Sequence, residues 1–83
     1  MRGRFSDNLV AARKKAGLTQ EELAERCHLH RTEVSLLERA GREPRLGTLI
    51  KLANALGVPP ASLCTGLSWD VDRQRFLAKQ RLP

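Results

Sequence analysis

Two short amphipathic runs, Thr19–Cys27 and His30–Arg39, lie almost end to end in this chain, and that juxtaposition restricts its fold more than any other feature. The first opens with Thr19 and Glu22 at the spacing of a capping box. There the hydroxyl accepts from an amide three residues on, and the carboxylate reaches back to the cap amide. Leu23, Ala24 and Cys27 then supply an apolar face. In the second run Val34 and Leu37 share a face, while Arg31, Thr32, Ser35 and Arg39 can point elsewhere. The connection must be a tight turn, yet it contains no glycine. His28 has to fill it, less comfortably than glycine would if the backbone there needs a positive φ.

The flanking chain is helical as well. Ser6 reads as the N-cap of a helix running to about Ala16, with Phe5 and Val10 placed as a hydrophobic staple and Leu9, Ala12 and Ala16 on one face. Gly17 ends that helix with a left-handed residue. Beyond the second run, Gly41 reads as the stop for helix three, and Arg42-Glu43-Pro44-Arg45 as a polar connection that proline keeps from continuing as helix. A fourth helix is expected from about Leu46 to Leu56, with Leu49, Leu52, Ala53 and Leu56 as its stripe and Gly57 as its end. Pro60 suits the first turn of a short fifth helix, Ala61 to Cys64, with Leu63 turned toward the core.

From Gly66 the pattern changes. Leu67, Trp69 and Val71 alternate, as do Phe76 and Ala78, which favours two short strands about a turn at Asp72 to Gln74. The rival is a helix capped by Asp72, because Arg73 to Leu82 are mostly good helix formers. We take the strand reading, and expect a helical domain over residues 1–65 and an extension over residues 66–83.

A chain of 83 residues, 41% hydrophobic, can build one core but not two. Its 15 lysines and arginines against nine acidic residues leave a net charge of +6. That balance favours a polyanionic partner through phosphate neutralisation and counterion release, without requiring one. Zinc would normally want four ligands; His28 and His30 lie near Cys27, with Cys64 the one other thiol. Both cysteines are expected to be reduced, small core hydrophobes, with no metal and no cofactor. Met1-Arg2-Gly3-Arg4 is basic but no apolar run follows, and no stretch approaches the roughly 20 apolar residues of a membrane span. The expected compartment is therefore the cytoplasm. Asp70 and Asp72 are close in sequence, but no nucleophile–histidine–acid arrangement or glycine-rich phosphate loop is recognisable, so an enzyme is not expected.

Two short helices with a brief turn between them are the layout of a helix-turn-helix, whose first helix braces against the DNA backbone and whose second enters the major groove. The stretch from Leu9 to Val58 resembles the phage-repressor and Cro-like helix-turn-helix family, also called the XRE family. The resemblance is carried by Arg13, Gly17-Leu18-Thr19-Gln20-Glu21-Glu22-Leu23-Ala24, Val34-Ser35, Leu37-Glu38-Arg39, Pro44, Leu49 and Leu52-Ala53-Asn54-Ala55-Leu56-Gly57-Val58. It implies an all-α, compact five-helix repressor-like domain that binds double-stranded DNA and regulates transcription, commonly as a homodimer on a palindromic operator. A tail with a tryptophan and a short β element, here a possible β-hairpin, is also similar to small bacterial regulators of this type.

The resemblance further implies roles. Gln20, opening helix two, grips a phosphate with its side chain and the helix-terminal amide. Arg31, Thr32 and Ser35 read bases, arginine by a bidentate grip on guanine and threonine by its hydroxyl and methyl. His30, at the entrance of helix three, touches phosphate or base. Phosphate is also the alternative for Arg31. Glu33 either faces solvent or accepts from a cytosine amine. Arg42 and Arg45 lie along phosphates, whereas Lys14 and Lys15 offer only a basic surface. Arg13 and Glu38 occupy the positions of an internal ion pair tying helix one to the end of helix three. Three departures stand out: Ala40 in place of a glycine, Leu36 at a usually polar outward position, and Arg45 where a small polar cap would precede helix four. Leu36, Trp69 and Phe76 are candidates for a protein interface, used by a homodimer or, in a second functional reading, by an antitoxin or accessory protein with a protein partner.

Overall fold

The first helix begins earlier than its sequence signal suggests, and the reason is tertiary. In the structure, a computed structural model that describes residues 3–39, 42–70 and 75–78, α1 spans Arg4–Lys15 with Gly3 as its N-cap. Ser6 is not the cap. It lies buried within the first turn, where its hydroxyl donates to the Leu37 carbonyl of a distant helix. A buried hydroxyl needs a partner, and this one finds it across the core.

Four more helices follow: α2 (Gln20–Cys27), α3 (Arg31–Glu38), α4 (Leu46–Leu56) and α5 (Pro60–Leu63). Both bonds of the Thr19–Glu22 capping box are made. The Glu22 amide donates to Thr19 Oγ1 at 3.0 Å, and the Thr19 amide to Glu22 Oε1 at 2.8 Å. α1, α2 and α4 end in one way. The amide of a left-handed residue bonds back three residues, and the next amide bonds back five: Gly17 and Leu18, His28 and Leu29, Gly57 and Val58. In each case the second residue is apolar and folds onto the core. His28 therefore does occupy the left-handed region, at φ 56°, where the other two ends use glycine.

Each helix contributes one leucine that is essentially fully buried: Leu9, Leu23, Leu37, Leu52 and Leu63. Val34, Ala53 and Cys27 fill between them. The result is the all-α, five-helix domain that the apolar spacing requires. Asn8 adds a polar tie, its Nδ2 donating to the carbonyls of Leu63 at 2.9 Å and Thr65 at 2.8 Å, which fixes α5 against α1. The Arg45 side chain makes no cap bond for α4, so that helix starts without the usual N-terminal support.

After α5 the chain forms β1 (Leu67–Asp70) and β2 (Arg75–Ala78), paired antiparallel with Trp69 opposite Phe76. The turn expected at Asp72 to Gln74 lies outside the described residues, as do the Ala40 and Gly41 positions where helix three was expected to stop. Gly66, at φ 86°, leads into β1 beneath the Arg4 side chain. The backbone calls for glycine; a Cβ there would lie 3.1 Å from Arg4 Nε, a contact that the exposed arginine side chain would have to relieve.

Candidate nucleic-acid interface

The way α3 is anchored decides which of its residues face outward. Val34, Leu37 and Glu38 are buried, which turns Arg31 and Thr32 to solvent and leaves Glu33, Ser35 and Leu36 half-buried. His30 is the N-cap, exposed, with its Nδ1 accepting from the Thr32 amide at 3.0 Å. Arg39 folds back on its own helix, its Nε donating to the Ser35 carbonyl at 3.4 Å.

The angle of α3 is held by a buried polar knot. Arg13 Nε donates to Glu38 Oε2 at 2.6 Å and Arg13 Nη2 to Glu38 Oε1 at 3.1 Å, a fork-to-fork pair. Arg13 Nη1 donates to the Leu18 carbonyl at 2.9 Å, and Gln20 Nε2 donates to Glu38 Oε1 at 2.9 Å. One carboxylate thus joins α1, α2 and α3. Gln20 is neither a free surface glutamine nor wholly consumed. An amide nitrogen has two hydrogens, and the one on Glu38 fixes the orientation of the other.

Arg13, Thr19, Gln20, Glu21 and Arg31 line an open cleft of about 340 Å³ where the first turns of α2 and α3 meet. The earliest amides of a helix lack intrahelical partners, and the helix dipole adds partial positive charge there. Arg13 is already neutralised by Glu38, so what the cleft offers an anion is Arg31, a glutamine amide and a helix N-terminus. Glu21 is its opposing charge. In the same turn, Glu22 is held below its ordinary value of 4.5 first by the Thr19 backbone amide, then by the Thr19 side chain and by Arg26.

Arg42 and Arg45 are exposed on the connection before α4, apart from that cleft. Arg42 lines a larger concavity of about 800 Å³ with the start of α1, Pro44, Leu49, Cys64 and Leu67. Trp69 and Phe76 share a register position on the strand pair. Cys27 is buried and donates weakly to the Lys51 carbonyl at 3.6 Å, and burial pushes its thiol up. Among the described residues no group of three or more histidine, cysteine or acidic side chains is placed to hold a metal ion, and no helix is long and apolar enough to cross a membrane. Sequence reasoning missed Asn8 and the bond of Gln20 to Glu38. Neither has a local signal, since their partners lie 18 or more residues away.

A family model described as helix-turn-helix matches residues 9–63. The chain belongs to the helix-turn-helix family. An uncharacterised HTH-type transcriptional regulator of Sinorhizobium fredii, y4dJ, is 42% identical over 65 residues, covering 78% of this chain and 84% of that one. Control protein C.SmaI of Serratia marcescens is 42% identical over 61 residues, 74% of this chain and 73% of its own. Among solved structures, the restriction-modification controller protein C.AhdI of Aeromonas hydrophila superposes with a TM-score of 0.70 at 38% identity, covering 72% of this chain and 91% of that one. This helix-turn-helix protein is thus an HTH-type transcriptional regulator related to restriction-modification controller proteins.

Proposed function

We propose that this chain binds double-stranded DNA sequence-specifically, with α3 as the recognition helix in the major groove, and regulates transcription from the site it occupies. The observation that carries the reading is the first turn of α3. Arg31 and Thr32 are exposed while Val34, Leu37 and the Glu38 knot hold the opposite side of the same helix. Arg31 and Thr32 read base edges from this turn, with Ser35 one turn on. Gln20 and the α2 amides take a phosphate, and Arg42 and Arg45 take others farther along the backbone. The motif from Leu9 to Val58 supports the narrower placement with phage-repressor and Cro-like regulators.

Selection from randomised duplexes, followed by variants, tests this. Arg31→Ala should flatten the sequence preference and cost about 1–3 kcal/mol on the preferred site. Arg42→Ala should weaken all duplexes comparably and lower the salt slope by about one. An unchanged preference in Arg31→Ala would remove the base-reading role.

A homodimer on a palindromic operator extends this reading, with residues 1–65 binding DNA and residues 66–83 supplying an interface at the Trp69–Phe76 position. Truncation before Gly66 should then give a smaller species in sedimentation. A second reading, an antitoxin or accessory role with a protein partner, draws on Leu36 and on Leu46 and Ile50, which are exposed four residues apart on α4. It predicts partner binding that survives Arg31→Ala.

A further inference from the structure

His30 stands at the entrance of the recognition helix, where N-caps are most often serine, threonine, aspartate or asparagine. Its ring takes over their task, with Nδ1 accepting from the Thr32 amide at 3.0 Å. A ring nitrogen that accepts carries no proton, so in the neutral imidazole the proton sits on Nε2. The two nitrogens lie on opposite sides of the ring. Nδ1 is taken by the helix, which leaves Nε2 as the remaining polar atom of the ring, on an exposed residue next in the chain to the exposed Arg31 and Thr32.

We propose that His30 is both the cap of α3 and a tautomer-fixed hydrogen-bond donor on the DNA-facing surface. The cap bond selects which nitrogen bears the proton, and the selected Nε2–H can donate but not accept. It therefore recognises an acceptor, either a phosphate oxygen or a purine N7 or guanine O6 in the groove, and rejects the amine donors of adenine and cytosine. Helix formation and the polarity of the contact are coupled through one ring: the geometry that starts the helix also sets what its first residue can bind. The binding half of this inference rests on the proposed DNA-binding role. The capping and tautomer half does not.

The experiment separates them. In the free protein, long-range ¹H–¹⁵N correlation of the His30 ring should show a protonated Nε2 and an unprotonated Nδ1. The opposite tautomer would overturn the proposal without any DNA present. Urea unfolding of His30→Ala should show a lower midpoint than wild type, and His30→Ser, whose hydroxyl also caps, should restore it. Equal midpoints in all three would remove the capping role. His30→Ser lacks the distal donor, so on a duplex recovered by selection it should bind on the order of tenfold more weakly despite its restored stability. Wild-type affinity in His30→Ser would overturn the donor role. A comparable loss on a random-sequence duplex assigns the acceptor to phosphate, and a loss confined to the selected duplex assigns it to a base, with 7-deazapurine substitution separating N7 from a carbonyl oxygen. If wild type binds neither duplex even at low salt, the DNA-binding reading fails while the tautomer and unfolding results still judge the cap.

Discussion

Replacing Arg13 by methionine should destabilise this domain more than almost any other single change outside the leucine core. The Glu38 side chain is 4% exposed and that of Arg13 14%, so neither charge is well solvated. Three hydrogen bonds reach the carboxylate, two from Arg13 and one from Gln20. Arg13→Met removes two of them and strips the Leu18 carbonyl of its Nη1 partner. A buried anion is then left with a single amide donor. Breaking a buried pair from one side costs about 3–5 kcal/mol, against about 5–15 kcal/mol for a whole domain. With a urea slope of about 1 kcal/mol/M for a small protein, the unfolding midpoint should fall by about 3 M or more. Glu38→Leu should also be costly, because it leaves the guanidinium without its acceptor. The double variant Arg13→Met/Glu38→Leu removes both charges together and should lie much closer to wild type. For the double variant to lie closer to wild type than either single, the coupling must exceed the larger single loss, about 3 kcal/mol or more. A loss below about 0.5 kcal/mol in Arg13→Met, or a double variant equal to the sum of the singles, would refute the reasoning. If Arg13→Met is unfolded in buffer, the recovery of the double variant still decides the matter.

Glu22 makes acid stability a second test. Its folded carboxyl sits below 4.5, so its contribution is present above that value and is lost as pH falls through the lowered folded value. Glu22→Gln should therefore flatten the acid limb of a stability–pH curve as pH falls from 4.5, and an unaltered limb would show that the capping-box carboxylate contributes nothing. His28→Gly should raise stability by about 0.5–1 kcal/mol, because glycine meets the left-handed backbone at no steric cost. A lower melting temperature would mean that the His28 ring makes a compensating contact. Cys64 should react with a thiol reagent well before Cys27 in the folded protein, since Cys27 is buried with its thiol pushed up. Equal rates would point to local opening around α2.

Most of the architecture was legible in local pattern. The breaks at Gly17 and Gly57, the capping box of Thr19 and Glu22 and the stripe of α4 all depend on residues three to five positions apart, and the structure follows them. The readings that shifted were those in which a residue's local use competes with a distant one. Ser6 has the chemistry of an N-cap, but its hydroxyl is drawn to Leu37, and the helix begins at Arg4 without it. Gln20 was expected, from the family resemblance, to contact phosphate; in the structure one of its amide hydrogens goes to Glu38, and the proposed phosphate role falls to the other. His30 is not a usual cap, and no spacing rule marks it as one. The ring serves because the turn after α2 presents it to the Thr32 amide.

The linear order of side chains was enough to set the ends of α1 and α4 and the start of α2, though not the start of α1, because a helix closes its bonds within four or five residues and its apolar stripe records the direction of the core. It could not set which polar groups meet. The carboxylate of Glu38 receives Arg13 from 25 positions away and Gln20 from 18, and the Asn8 amide reaches carbonyls 55 and 57 residues downstream. Those encounters exist only once α1, α2, α3 and α5 have packed, since a hydrogen bond is sensitive to tenths of an ångström that only a packed core can hold. The outward aim of Arg31 and Thr32 is fixed by that packing.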